Sequence, residues 1–168
     1  SGFNSVGDAD GTVGDDLVDA KGKTINTYAP RNPYKDNFVE TGTNTRENTL
    51  ADVAMYYWKR DLRPYVSAAN PGLENNVPHS ERDRPDTDPA FWQHMSTFGV
   101  SIGLKGNLNP STAELEAILK GTEHWTDPIN GGENGDRIDD LWHASVNGRG
   151  RFVVAGNSKE FTDGLLAA

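Results

Sequence analysis

The segment "HMSTFGVSIGLKG", residues 94–106, holds the clearest β-strand in the sequence. Large apolar residues occupy alternate positions from Phe98 to Leu104, which is the two-residue period of a strand. The residues between them are Gly or Ser, so they are small and uncharged. A strand with one face in water would carry longer polar side chains there. The pattern therefore predicts a central strand with helices packed closely on both faces.

A second strand follows a helix in "IDDLWHASVNGRGRFVVAG", residues 138–156. Asp136 is predicted to cap this helix, and Asn147-Gly148 to end it in a left-handed conformation. "RFVVA", residues 151–155, is apolar without alternation, as expected for a buried strand. Four residues at helical spacing form the predicted core face, namely Ile138, Leu141, Trp142 and Ser145.

An earlier helix is predicted in "TLADVAMYYWKRDLRP", residues 49–64. Thr49 and Asp52 have the spacing of a capping box at its start, and Pro64 is expected to stop it. The apolar face predicted from the spacing consists of Leu50, Val53, Ala54 and Tyr57.

Two shorter helices are predicted from their ends. Ser111 and Glu114 form a second capping box, and Gly121 terminates that helix. Asn157 is predicted to cap the last helix. Its inward-facing residues are predicted to be Phe161, Leu165 and Leu166.

The order helix, strand, helix, helix, strand, helix predicts a parallel sheet with helical crossovers. Two parallel strands expose their edges and cannot bury both faces, so we expect further strands before residue 1 or from another copy. Residues 1–45 are a Gly/Asp-rich loop region, with a short ribbon expected near "KTINTYAP". The chain is treated as one segment, in which residues 46–168 carry the α/β elements.

Composition excludes several classes of protein. The 168 residues carry a net charge of −9, so the basic surface of a nucleic-acid-binding protein is absent. No apolar run approaches the roughly 18 residues of a membrane span, and we expect no insertion in a membrane. The sequence has no cysteine, which rules out disulfides and thiol nucleophiles.

One pair of residues invites a catalytic reading. Asp139 and His143 lie four residues apart on a predicted helix, where a carboxylate beside an imidazole could form a general base. The same spacing is typical of an ordinary surface pair near a helix end, and no nucleophile is fixed nearby. Catalysis is the weaker of the two interpretations.

The segment "GDADGTVGDD", residues 7–16, raises the question of calcium, because carboxylates alternate with glycine as in loops that bind hard cations. Its spacing does not fit an EF-hand, and solvated turns are the alternative. The calcium candidates predicted here are Asp8, Asp10, Asp15 and Asp16.

Three stretches, "LADVAMYYWKRDLRP", "DPAFWQHMSTFGVSIGLKG" and "IDDLWHASVNGRGRFVVAGNSKEFTDGL", resemble the PilC/PilY-type proteins of type IV pili. The resemblance implies the C-terminal portion of a Rossmann-like, von Willebrand factor A-type three-layer sandwich, with long loop insertions. That fold binds metal through a DxSxS loop. No DxSxS occurs here, so no residue of this chain inherits those ligand roles.

The resemblance also implies a function. We expect a non-enzymatic segment of a pilus-tip-associated assembly and adhesion protein, with pilus subunits or a host surface ligand as partners. We expect export to the cell surface, the pilus tip, the periplasm or the outer membrane of a bacterium. Two alternatives stay open at this point: a calcium-dependent binding module, and a small hydrolase that uses Asp139 and His143.

Overall fold

The protein forms a mixed α/β structure with two small sheets, seen in a computed structural model that describes residues 4–19, 21–39, 45–129 and 135–167. This agrees with the predicted α/β class, while the finer von Willebrand A-type arrangement stays a prediction. The elements, in chain order, are β1 (Asp16–Val18), β2 (Thr24–Asn26), α1 (Leu50–Trp58), β3 (Thr97–Ile102), α2 (Thr112–Lys120), α3 (Gly135–Asn147), β4 (Arg149–Ala155) and α4 (Ser158–Ala167).

The two predicted strands are parallel neighbours. β3 pairs with β4 in a register that sets Val100 beside Val153 and Ile102 beside Ala155. β1 and β2 form the predicted short ribbon, as an antiparallel pair. Among the described residues neither sheet has a third strand, so both edges of the parallel pair are open.

Helix α3 packs on the face of β3 that carries the small residues. A Cβ atom added to Gly99 would lie 2.5 Å from Ser145 Oγ, so only glycine allows this approach. The prediction of close helix packing on the opposite face of β3 is wrong, since Phe98 and Ile102 are 51% and 68% exposed. α4 packs beside β4 on that side, but its Leu166 is 82% exposed rather than inward-facing.

The buried face of helix α1 differs from the predicted one. Met55 and Trp58 are fully buried, whereas Leu50 and Tyr57 are 50% and 40% exposed. The helix ends at Trp58, well before Pro64. A second set of residues has the same helical spacing and forms the buried face, namely Ala51, Ala54, Met55 and Trp58.

The predicted caps of α1, α2 and α4 are confirmed, and that of α1 is a reciprocal capping box. Thr49 and Asp52 form a reciprocal capping box at the start of α1. The Ser111 side chain accepts a hydrogen bond from the Glu114 N–H, and Gly121 ends α2 with φ 74°. Asn157 Oδ1 accepts hydrogen bonds from the first turn of α4.

The ends of α3 differ from the prediction. The helix begins at Gly135, so Asp136 lies within its first turn rather than at the cap. The left-handed residue after the helix is Arg149, with φ 54°, and neither Asn147 nor Gly148 adopts that conformation. Gly148 instead allows its backbone to lie close to the start of β3, since a Cβ atom there would lie 2.5 Å from the Thr97 side chain.

The core is aromatic and lies between α1, α3 and long loops. The loop at 59–96 turns back on itself at Ser67–Asn70, where the side chains are exposed, and later buries Trp92. Trp92 Nε1 donates a hydrogen bond to the Trp58 carbonyl at 2.7 Å. The Gly/Asp-rich region also enters this core, through Tyr28, Tyr34 and Phe38. In the described part of the chain, no helix is long and apolar enough to cross a membrane.

Candidate functional site: a buried carboxylate cluster

Three carboxylates from distant parts of the chain meet beneath α3. Asp10 and Asp52 are 0% exposed and Asp36 is 3% exposed, and we call these three residues the carboxylate cluster. Charged groups are rarely buried so completely without a partner of opposite charge, because leaving water is costly for an ion. This makes the cluster the most unusual chemistry in the described residues.

Backbone hydrogen bonds hold the cluster together. Asp10 Oδ1 accepts the Asp36 N–H at 3.1 Å, and Asp52 Oδ1 accepts the Asp10 N–H at 3.3 Å. Asp52 belongs to the α1 capping box, in which Oδ2 accepts the N–H and the hydroxyl of Thr49. The cap that starts α1 therefore also fixes the position of the cluster.

His143 of α3 borders the cluster. Its Nε2 lies 2.7 Å from the Tyr34 carbonyl oxygen, which can only accept, so Nε2 carries the proton and donates. The imidazole stacks on Trp125 with ring centres 4.3 Å apart and an interplanar angle of 13°. Its other nitrogen, Nδ1, lies 3.8 Å from Asp36 Oδ1, too far for a hydrogen bond.

Burial dominates the protonation of these groups. Burial and the nearby charge of Asp36 raise the pKa of Asp10 well above its usual value. Burial raises the pKa of Asp36 to about 8, although the Arg46 N–H donates to that carboxylate. Burial lowers the pKa of His143 to about 3, so the imidazole is neutral and its Nδ1 has a free lone pair.

Asp140 and Asn147 of α3 flank the cluster. Asp140 accepts hydrogen bonds from the Leu50 and Ala51 N–H groups and so binds α3 to the start of α1. Burial raises the pKa of Asp140 to about 6. Asn147 Nδ2 donates to Asp10 Oδ2 at 3.2 Å, while its Oδ1 is buried and accepts no hydrogen bond from the part of the chain that the structure describes.

The structure separates the four calcium candidates. Carboxylate oxygens of Asp8 and Asp10 lie within 4.8 Å of one another and of Asp52, a spacing that could hold a metal ion. Asp15 and Asp16 are exposed at the start of the β1–β2 ribbon and join neither potential metal-ligand group among the described residues. The calcium site stays a prediction.

The predicted surface pair of Asp139 and His143 is not formed. Both side chains are 2% exposed, and no ion pair joins them within 4.0 Å. Asp139 instead accepts hydrogen bonds from the Thr126 hydroxyl and from the N–H groups of Asn107 and Leu108. The four-residue spacing does place both residues on one side of α3, but that side is buried and not exposed to solvent.

Sequence reasoning missed Asp36 and Asp52 as members of a polar site. They are separated from Asp10 by 26 and 42 positions and from His143 by more than 90, so no local spacing unites the group. A signal was present in α3, where Asp139, His143 and Asn147 recur every four residues and form a polar stripe on one face.

Comparison with curated proteins finds relatives that match almost the whole chain. This chain is 34% identical, over 98% of its own length, to the type IV pilus biogenesis factor PilY1 of Pseudomonas aeruginosa strain PAK. The chain is 33% identical over 98% of its length to the PilY1 of strain PAO1, and 32% identical over 84% of its length to that of strain UCBPP-PA14. No protein-family model and no solved structure matches.

The resemblance read from the sequence is thereby confirmed. The chain spans about an eighth of the length of these relatives, since the matched part is 13% of the first two and 12% of the third. Along nearly all of its own length, this chain is homologous to one segment of the PilY1 type IV pilus biogenesis factors.

Proposed function

We propose that this chain is a non-enzymatic segment of an exported type IV pilus biogenesis and adhesion factor. Its physical task is to supply two neighbouring parallel strands, with their helices, to an α/β domain of von Willebrand A type. Pilus subunits or a host surface ligand are the partners of the whole protein, which is displayed at the bacterial surface. The structural part of this proposal rests on one observation, the open edge of strand β3.

The edge of β3 is ready to pair. Thr97 N–H donates to the Gly148 carbonyl and Gly103 N–H donates to the Ala155 carbonyl, both toward β4. Because N–H groups alternate in direction along a strand, those of Val100 and Ile102 point to the open side. A row of unpaired backbone groups on a parallel strand favours another strand as its neighbour.

The exposed apolar face supports the same proposal. Phe98, Ile102 and Leu104 are 51%, 68% and 58% exposed, and Leu165 of α4 is 53% exposed. Parallel sheets are normally covered on both faces, so these exposed apolar side chains support a further helix or strand that packs on them in the whole protein. The curated relatives contain ample chain outside the matched segment to provide it.

Hydrogen exchange tests the pairing directly. The amides of Val100 and Ile102 should exchange slowly in the full-length protein and fast in a fragment limited to residues 1–168. The amides of Ser101 and Gly103, which face β4, should be protected in both. Fast exchange at Val100 and Ile102 in the full-length protein would rule the added strand out.

A matched pair of substitutions tests the covered face in cells. Ile102 and Val66 are both β-branched, at 68% and 66% exposure in this chain. In a strain that lacks its own copy, the full-length protein with Ile102→Asp should fail to restore surface pili, whereas Val66→Asp should restore them. Equal restoration by both would contradict the proposed burial of Ile102.

A further inference from the structure

We infer that Asp10, Asp36 and His143 form a binding site for a divalent metal ion that accepts mixed nitrogen and oxygen ligands, such as Zn²⁺ or Mn²⁺. This site is separate from the proposed strand pairing and does not depend on it. It differs from the calcium loop predicted from the sequence, because two of its three ligands lie outside that loop. The argument rests on ligand geometry, an unpartnered buried oxygen and the surrounding hydrogen bonds.

The ligand atoms have the spacing of atoms that share one ion. His143 Nδ1, the ring nitrogen that does not donate to Tyr34, lies 3.8 Å from Asp36 Oδ1. One ligand atom from each of the three residues lies within 4.8 Å of the other two. Two ligands that each bind a metal at about 2.0–2.2 Å lie roughly 3–4 Å apart. The gap is too long for a hydrogen bond and suits an ion between the atoms.

Asp36 points an unpartnered oxygen into this gap. Its Oδ1 is buried and has no hydrogen-bond partner among the described residues, while its Oδ2 accepts the Arg46 N–H at 2.8 Å. Buried polar atoms are almost always hydrogen-bonded, so such an atom requires an explanation. A bound cation satisfies Asp36 Oδ1 and the free Nδ1 lone pair of His143 together.

No basic side chain of the described residues compensates this charge. None of their Lys or Arg side-chain nitrogens lies within 4.0 Å of a carboxylate oxygen of the carboxylate cluster. The nearby Lys59 ammonium donates instead to the Ala9 and Thr12 carbonyls.

The surrounding contacts resemble those that orient metal ligands. A ligating histidine usually donates its other ring N–H to a carbonyl or carboxylate, and here His143 Nε2 donates to the Tyr34 carbonyl. The Trp125 ring fixes the imidazole plane by stacking. Asn147 Nδ2 donates to Asp10 Oδ2, which holds that carboxylate toward α3.

The imidazole decides between classes of ion. Calcium takes oxygen ligands, as the group of Asp8, Asp10 and Asp52 would offer, whereas the group of Asp10, Asp36 and His143 includes a ring nitrogen. A site with a neutral imidazole and two carboxylates suits Zn²⁺ or Mn²⁺ better.

Metal content of the full-length protein tests the inference. After dialysis against ZnCl₂ or MnCl₂ and removal of free metal, the wild type should retain one ion per chain more than Asp36→Asn or His143→Gln. His79→Gln and Asp86→Asn, at positions outside the cluster, are the matched controls and should retain the wild-type amount. Equal retention by the wild type and Asp36→Asn would overturn the site.

A stability measurement guards against a variant that does not fold. In EDTA, Asp36→Asn should unfold at the same or a higher temperature than the wild type, because it replaces a buried ionisable group with a neutral amide of similar shape. Zn²⁺ should raise the unfolding temperature of the wild type only. A wild type that does not respond to Zn²⁺ or Mn²⁺ would overturn the inference. So would retention of Ca²⁺ alone, lost in Asp52→Asn but not in His143→Gln.

Discussion

The guanidinium carbon of Arg149 lies 3.7 Å from the centre of the Tyr34 ring. This contact joins the first residue of β4 to the Gly/Asp-rich region, and the Trp58 ring lies 3.9 Å from the same carbon. Arg149 Nη1 also donates to the Val146 and Asn147 carbonyls at the end of α3. The side chain is fully buried, and burial lowers its pKa to about 10.

We expect Arg149→Lys to lower the free energy of unfolding by about 2 kcal/mol, because an ammonium group cannot stack on the rings and reach both carbonyls. Urea unfolding followed by tryptophan fluorescence measures the change. Arg151→Lys, at an exposed position of the same strand, is the control and should change stability little. Equal stability of the two variants would contradict this role for Arg149.

Gly99 provides a test of close packing between β3 and α3. In Gly99→Ala the new Cβ atom would lie 2.5 Å from Ser145 Oγ and 2.7 Å from Phe152 Cδ2. We expect a loss of about 1–3 kcal/mol from overpacking, measured by thermal unfolding. Gly156→Ala is the control, since its nearest atom is the flexible end of Glu160 at 3.2 Å. A neutral Gly99→Ala would show that α3 can move away from the sheet.

The capping box of α1 should contribute more than an ordinary cap. Thr49 Oγ1 accepts the Asp52 N–H and donates to Asp52 Oδ2, so Thr49→Ala removes a cap and a donor to a buried carboxylate. We expect a loss of about 1–2 kcal/mol in urea unfolding. Thr49→Ser keeps the hydroxyl and should retain most of the stability; a loss as large as that of alanine would assign the effect to the methyl group.

The contact between His94 and Asp88 predicts a pH-dependent contribution to stability. His94 Nε2 lies 2.8 Å from Asp88 Oδ2. Burial by itself would lower the pKa of His94, but the hydrogen bond to Asp88, the contact with the Trp92 carbonyl and the charge of Asp88 together outweigh burial and raise that pKa. Burial would raise the pKa of Asp88, but the hydrogen bonds from His94, the Ala90 N–H and Trp58, together with the charge of His94, lower it.

The stabilisation from His94 is fully present below its unfolded pKa of about 6.5 and is lost as the pH rises through its higher folded value. That from Asp88 is present above about pH 4 and is lost as the pH falls through its lowered pKa. His94→Gln should therefore cost most stability at about pH 5–6 and least in alkaline solution. His79→Gln should show no such dependence; a pH-independent effect of His94→Gln would contradict the ion pair.

Local chemistry explains what the sequence could predict. Both predicted strands form, at Thr97–Ile102 and Arg149–Ala155, although the first ends two residues before the predicted Leu104. The caps at Thr49, Ser111 and Asn157 are confirmed, because each depends on residues within a few positions of one another. The parallel pairing followed from the order of elements, which requires a crossover between the two strands.

Tertiary packing explains what the sequence could not predict. In α1 two residue sets share the same helical period, and only the aromatic core decides that Met55 and Trp58 face inward. In α3 a polar flank is buried, since loops from the N-terminal region cover His143. Asp36 and Asp52 join Asp10 only after three separate segments fold together.

The turn at Ser67–Asn70 has a practical consequence. The backbone N–H and carbonyl groups of Ser67 and Asn70 pair with each other, so the chain enters and leaves the turn at nearly one point. The side chains from 63 to 71 are all exposed, while the buried anchor of this loop, Trp92, is distant in sequence. A peptide tag or fluorophore placed between Ala68 and Ala69 would therefore extend from the surface without disturbing the fold, which offers a way to label the protein without altering its core.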